Sequence, residues 1–146
     1  AGGAGTASNI TGSSVTYAGG GGGGIYNHGN PYAPPGLGGA GGTGGGGHGT
    51  PRVATLAYHN AATPGTAGTA NTGGGGAGTA YAYSIRNDVT PAANQPYGYA
   101  GGSGVIVLRA PSDAKFNVSP GSNTKSTDGP TGDIIAVFNT TGTLTI

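Results

Sequence analysis

The sequence predicts an all-β protein with glycine-rich extended, polyproline II-like segments, a small antiparallel C-terminal sheet and almost no helix. Three observations carry that reading. Glycine supplies 36 of the 146 residues and gathers in runs at 19–24, 44–47 and 73–76. No apolar pattern with the 3.6-residue helical period persists beyond two turns. After residue 103 the text changes to short β-branched runs bounded by Pro, Gly, Asn and Asp. The expected organisation is a glycine-rich region with short strands over 1–103 and a β-strand region over 104–146, together one continuous module.

Taken in order, residues 1–49 are glycine with Ser, Thr and Asn, broken by Ser14-Val15-Thr16-Tyr17 and by an island at 25–32. The middle of the chain offers strands at 52–58 and 79–86, separated by a turn-rich stretch at 63–73. In the second of these, Tyr81, Tyr83 and Ile85 alternate with Ala80, Ala82 and Ser84, giving one bulky and one small face. In the last zone 105–108 reads as a strand buried on both sides and 133–138 as another. Residues 116–118 and 143–146 add two shorter strands. The connectors at 110–113 and 119–123 are turn-formers: Pro fixes φ, Gly supplies positive φ, and Asn or Asp bonds nearby backbone. Leu144 and Ile146 share one face of the last strand, which is expected to pair with 133–138 through the Asn139-Thr140-Thr141-Gly142 turn or to add to the sheet of a neighbouring copy.

Without Cβ atoms, glycine backbones approach one another more closely than side chains normally allow. A three-residue-per-turn helix leaves its amides and carbonyls pointing outward, so bundled glycine segments can bond one another through the backbone. The competing reading is a flexible linker, yet Tyr and Ile islands at the ends of the runs favour an ordered glycine core.

Charge excludes several functions. Lys and Arg number five, Asp and Glu four, and the formal net charge is +1. Arg52, Arg86, Arg109, Lys115 and Lys125 are scattered among Asp88, Asp113, Asp128 and Asp133, so there is no footprint for a nucleic acid. Cysteine is absent and no disulfide contributes. The longest apolar run, 105–108, is far below the ~20 residues that span a bilayer, so no membrane insertion is expected. The opening Ala1-Gly2-Gly3-Ala4-Gly5 has no charged-then-apolar signal pattern; it suggests a processed product or, as its glycine-rich text favours, an excerpt of a longer glycine-rich polypeptide.

No motif supports catalysis. Residues 36–41 match GxGxxG, but no strand precedes them, no helix follows, and no acidic residue lies about twenty positions on. His28, His48 and His59 lack metal-ligand spacing and read as exposed loop histidines. There is no Gly-x-Ser-x-Gly turn. The expectation is a non-enzyme with no catalytic residues, no cofactor and no metal. Asn9, Asn117 and Asn139 each open an acceptor sequence for N-glycosylation.

The tyrosines carry the binding signal. Tyr26, Tyr32, Tyr58, Tyr97 and Tyr99 lie beside Pro, Asn, His or Gly in expected loops. A flat ring with a hydroxyl stacks on a sugar while donating a hydrogen bond, and rigid aromatics among small polar residues gain contact area at low entropy cost. The alternative role for the same rings is to cap the glycine layers.

Ser13 to Ala18 running into the 19–24 tract, the 73–78 tract, and above all Gly101-Gly102-Ser103-Gly104-Val105-Ile106-Val107-Leu108-Arg109 resemble the glycine-rich domain of bacteriophage tail-fibre and tail-tip adhesins and related secreted surface proteins. The ending at 135–146 is similar to the strand segment that follows that domain. The resemblance implies stacked polyglycine helices whose loops meet a host receptor. It also implies a virion tail fibre or extracellular surface as location, with copies of itself, other fibre proteins, or a host surface glycan or protein as partners. This chain's tracts are shorter and more interrupted than the family's most regular ones, and a β-sheet with attached glycine-rich loops is the alternative architecture. The alternative function is a self-assembling subunit of a secreted microbial filament. Ice binding by Thr66, Thr69 and Thr72 has the right residue types on too short a ladder.

Overall fold

The computed structural model describes residues 1–25, 36–50, 65–79 and 98–146. Among these the protein is all-β: seven short strands and no helix. The strands are β1 (Thr6–Ser8), β2 (Val15–Tyr17), β3 (Ile106–Ala110), β4 (Asn117–Ser119), β5 (Thr124–Thr127), β6 (Ile134–Phe138) and β7 (Thr143–Thr145). The expected strands at 52–58 and 79–86 lie, but for Thr79, outside the described residues.

The glycine tracts are held by backbone hydrogen bonds between segments that are neither helix nor strand. Seven such rows can be followed: 1–5, 18–25, 37–43, 45–50, 65–69, 73–79 and 98–103, here rows 1 to 7. Donors recur every third residue. Gly19 and Gly22 donate to Gly44 and Gly47, Gly75 and Gly78 to Gly19 and Gly22, and Gly47 and Thr50 to Gly75 and Gly78. Three residues is the repeat of a polyproline II helix. Rows 2, 4 and 6 therefore run parallel and bond one another in a closed cycle.

The remaining rows run the other way: Gly39 and Gly42 of row 3 bond Gly23 and Gly20, Thr66 and Thr69 of row 5 bond His48 and Gly45, and Tyr99 and Gly102 of row 7 bond Ala77 and Gly74. Row 1 parallels row 3, with Gly2 on Ala40 and Gly5 on Thr43. The pairings fit two layers, one of rows 1, 2, 6 and 7 and one of rows 3, 4 and 5, each row of the second seated between two of the first. Side chains are excluded by contact: a Cβ on Gly22 would fall on the carbonyl of Gly39, and one on Gly41 on that of Gly46.

Tight connections join the rows at one end. Rows 3 and 4 meet in a turn where Gly44 and Gly45 take φ of +94° and +93°, a region L side chains rarely adopt. Rows 5 and 6 turn through Asn71 and Gly73, and rows 1 and 2 through the β1–β2 hairpin, where Thr6 pairs with Tyr17 and Ser8 with Val15.

The C-terminal region is built conventionally. β6 lies between β3 and β5, both antiparallel to it, with Leu108 and Lys125 flanking Ala136 and Arg109 and Ser126 flanking Ile135. Ala136, Ile135 and Phe116 form the side-chain core. Asn123, 4% exposed, accepts the N–H groups of Asn139 and Thr140 on its Oδ1 and so fixes the turn after β6.

Two expectations need correction here. The first strand is not buried on both sides: β3 is an edge strand, and Ile106 and Leu108, on the face of Ala136, are 63% and 42% exposed. The last strand does not pair with 133–138. β7 pairs with β4, Leu144 opposite Val118, because both edges of β6 are already taken by β3 and β5.

Candidate functional site

The register of the rows fixes where the undescribed segments attach. Row 2 ends at Ile25 beside the start of row 3, since Gly39 bonds Gly23. Thr50 at the end of row 4 bonds Gly78 near the end of row 6, and row 5 begins at Gly65 alongside, since Thr66 bonds His48. Row 7 begins at Gly98 next to Ala77, which accepts from Tyr99. Ile25, Gly36, Thr50, Gly65, Thr79 and Gly98 thus lie at one end of the array, and the tight turns and the C-terminal strands lie at the other.

The floor of that end is built by Thr50, Gly65 and Tyr99. Thr50, 5% exposed, accepts the Gly65 N–H on its Oγ1 at 3.2 Å. Tyr99 is half-buried, and its ring lies so close over Gly65 that a Cβ there would sit 2.6 Å from Cε2. With its own N–H held by Ala77 O at 2.9 Å, Tyr99 is fixed at both backbone and ring. Of the tyrosines singled out from sequence, Tyr99 is placed here; Tyr26, Tyr32, Tyr58 and Tyr97 lie outside the described residues, as do His28 and His59.

His48 is exposed, in line with expectation, but it sits in row 4 and ties three rows together. Its Nδ1 accepts the Gly41 N–H at 3.4 Å, and its own N–H donates to Thr66 Oγ1 at 2.8 Å. Among the described residues no group of three or more His, Asp or Glu is placed to hold a metal, and no helix is long and apolar enough to cross a membrane. The glycosylation candidates lie away from the end where the six row termini converge. Asn9 is exposed in the β1–β2 turn, Asn117 is exposed on β4, and Asn139 is half-buried.

One ionic cluster, which the sequence does not announce, stands between the array and the sheet. Arg109 on β3 donates from Nε to Asp133 Oδ2 at 2.8 Å and from Nη2 to Asp128 Oδ2 and Thr131 Oγ1, while Nη1 reaches Asn9 O at 3.5 Å. Asp128 is 8% exposed and packs against Gly12 at the tip of the hairpin. The hydrogen bond to Asp133 raises the Arg109 pKa, and the same bond lowers that of Asp133. One guanidinium serves two carboxylates, so the cluster carries a formal charge of −1 and ties β3 to the 128–133 segment. Its partners lie 19 and 24 positions on in the chain, a separation that leaves no local signal.

No family model matches the chain, and neither a curated protein nor a solved structure does.

Proposed function

We propose that the chain is a non-catalytic structural and receptor-binding module of a phage tail fibre or surface adhesin, whose contact surface is carried at one end of the glycine array. The observation that supports this is the convergence of the six attachment points. The three segments between them, 26–35, 51–64 and 80–97, contain Tyr26, Tyr32, Tyr58, Tyr81, Tyr83 and Tyr97, six of the eight tyrosines in the chain. A backbone framework whose intervening segments carry most of the tyrosines has the makeup of a binding scaffold. The partner class is a host surface glycan or protein, met through stacking and neutral hydrogen bonds, since the chain carries so little charge.

The test is binding of the full chain to bacterial envelopes and to purified surface glycans, with Tyr32→Ser, Tyr58→Ser and Tyr97→Ser combined and Tyr17→Ser, in β2 at the opposite end, as control. At least about a tenfold loss is expected for the triple variant and none for Tyr17→Ser. Equal binding by both variants, or no binding by the parent to any envelope, rejects the reading.

A further inference from the structure

The two outer faces of the glycine array differ in a way that internal packing does not explain. A three-residue turn sends successive amides in three directions. In row 2, Gly19 and Gly22 donate to row 4 and Gly20 to row 1, so Gly21 points to the third side, where neither layer stands. In row 6, Gly75 and Gly78 donate to row 2 and Ala77 to row 5, so Gly76 points the same way. Run in the opposite chain direction, the same rotation turns Gly3 of row 1 and Gly101 of row 7 to that side. These four stand at about one level, because Gly20 bonds Gly3, Gly75 bonds Gly19 and Gly102 bonds Gly74. None of the four amides has an acceptor among the described residues, and neither Gly21 nor Gly76 receives a donor on its carbonyl.

On the opposite face the outward amides are capped by side chains. His48 Nδ1 covers the Gly41 N–H and Thr66 Oγ1 covers the His48 N–H. The exposed positions there are Leu37, Ala40, Thr43, His48, Thr66, Ala67 and Thr69. On the four-row face, Gly3 and Gly101 are exposed, yet a Cβ on Gly3 would meet nothing within 4 Å and one on Gly101 nothing nearer than 3.3 Å. Neither has a positive φ. At Gly3 alanine would fit and would leave the unfolded chain less freedom to lose, so packing within the monomer does not account for glycine there; at Gly101 the approach to the Gly74 carbonyl oxygen is tight and asks for a shift of a few tenths of an ångström. Rows 1, 2, 6 and 7 contain no Asp, Glu, Lys or Arg.

We propose that the four-row face is an interface that takes the same face of a second copy of this chain, the two glycine layers bonding backbone to backbone across a two-fold axis. The occupant follows from what the face offers. Uncapped amides and carbonyls at a three-residue repeat, with no side chains between them, are matched by another backbone of the same repeat, and this face is the one described surface of the protein that supplies it. An isologous pair satisfies each donor with the partner's acceptor, and an uncharged face brings no like charges together. The end where the row termini converge is perpendicular to this face, so the inference does not rest on the proposed receptor role.

Sedimentation of the full chain across the micromolar range tests it, with Gly3→Thr and Gly101→Thr singly and together, and Ala40→Thr on the capped face as control. The parent and Ala40→Thr should form a dimer, and the double variant should weaken self-association at least about tenfold with an unchanged melting temperature at concentrations where the parent is monomeric. A parent that stays monomeric throughout, one that polymerises without closing at two, or a folded double variant that dimerises like the parent overturns the proposal. If the double variant does not fold, amide exchange of the parent decides: concentration-dependent protection of Gly21 and Gly76 supports the interface, and fast exchange at every concentration rejects it.

Discussion

The glycine array and the C-terminal sheet solve the same problem with opposite materials. In the array the groups brought out of water are backbone: Gly19, Gly22, Gly47, Gly49 and Gly74 are buried, and the one buried apolar side chain is Ala77. In the sheet the buried groups are side chains, Phe116, Ile135 and Ala136, with Asn123 satisfying a turn. The first is stabilised by inter-row hydrogen bonds that need the rows to touch; the second by apolar area and filled volume. Their sensitivities should therefore be inverted, the array failing when an atom is added and the sheet when atoms are removed.

The largest effect is expected from adding atoms at the centre of the array. A Cβ on Gly22 falls on the carbonyl oxygen of Gly39 with the Ala40 carbonyl next to it, and both are backbone, so no rotamer change can make room. Gly22→Val should exceed the ~1–3 kcal/mol of ordinary overpacking and abolish the array's cooperative melting transition in calorimetry. Gly104→Val, where a Cβ meets nothing within 4 Å, should melt like the parent. If the two variants behave alike, the rows are not close-packed.

The sheet should respond to loss instead. Phe116, 8% exposed, lies under the Lys125 ammonium at 5.2 Å from its ring centroid, and Lys125 Nζ also donates to Phe116 O at 2.8 Å. Phe116→Ala should cost about 3–5 kcal/mol in urea unfolding. A change below about 1 kcal/mol would mean that the sheet is held by something other than this core.

The same contrast governs what is legible in the sequence. The glycine tracts announce close backbone approach, and the β-branched text around Ile106 and Ile134 announces strands, because both signals are local. β1 and β5 are not legible: Thr6-Ala7-Ser8 and Thr124-Lys125-Ser126-Thr127 are polar, and each becomes a strand through its partner, Val15–Tyr17 or Ile134–Phe138. The short turn after Phe138 points β7 to the nearest strand, whereas occupancy of both β6 edges is a property of the whole sheet and sends it to β4. Tyr99 stands out as a residue of interest, but the convergence of six attachment points emerges from alternating row directions that composition does not encode. The roles of His48 and Arg109 are invisible for the same reason, since each depends on partners distant in the chain.

Between the two regions stands the Arg109 clamp, and it should give the smallest and most condition-dependent effect. Asp133 and Arg109 retain side-chain exposures of 32% and 26%, so solvent screens their pairing. The Asp133 pKa is lowered in the folded protein by the Arg109 hydrogen bond. While the pH lies between that lowered value and the ordinary aspartate value near 4, the unfolded chain binds the extra proton, so stability rises with pH across that window. The contribution is complete above the ordinary value and lost as pH falls through the folded one. Urea midpoints followed from neutral pH down to strong acid should thus decline for the parent in that window, and Asp133→Asn should flatten this part of the profile while starting slightly lower at neutral pH. Arg109→Met should flatten it too, because the shift belongs to the pair. A parent profile indistinguishable from that of Asp133→Asn would show that the Arg109–Asp133 pair, both of whose residues lie in the C-terminal region, contributes nothing measurable to stability.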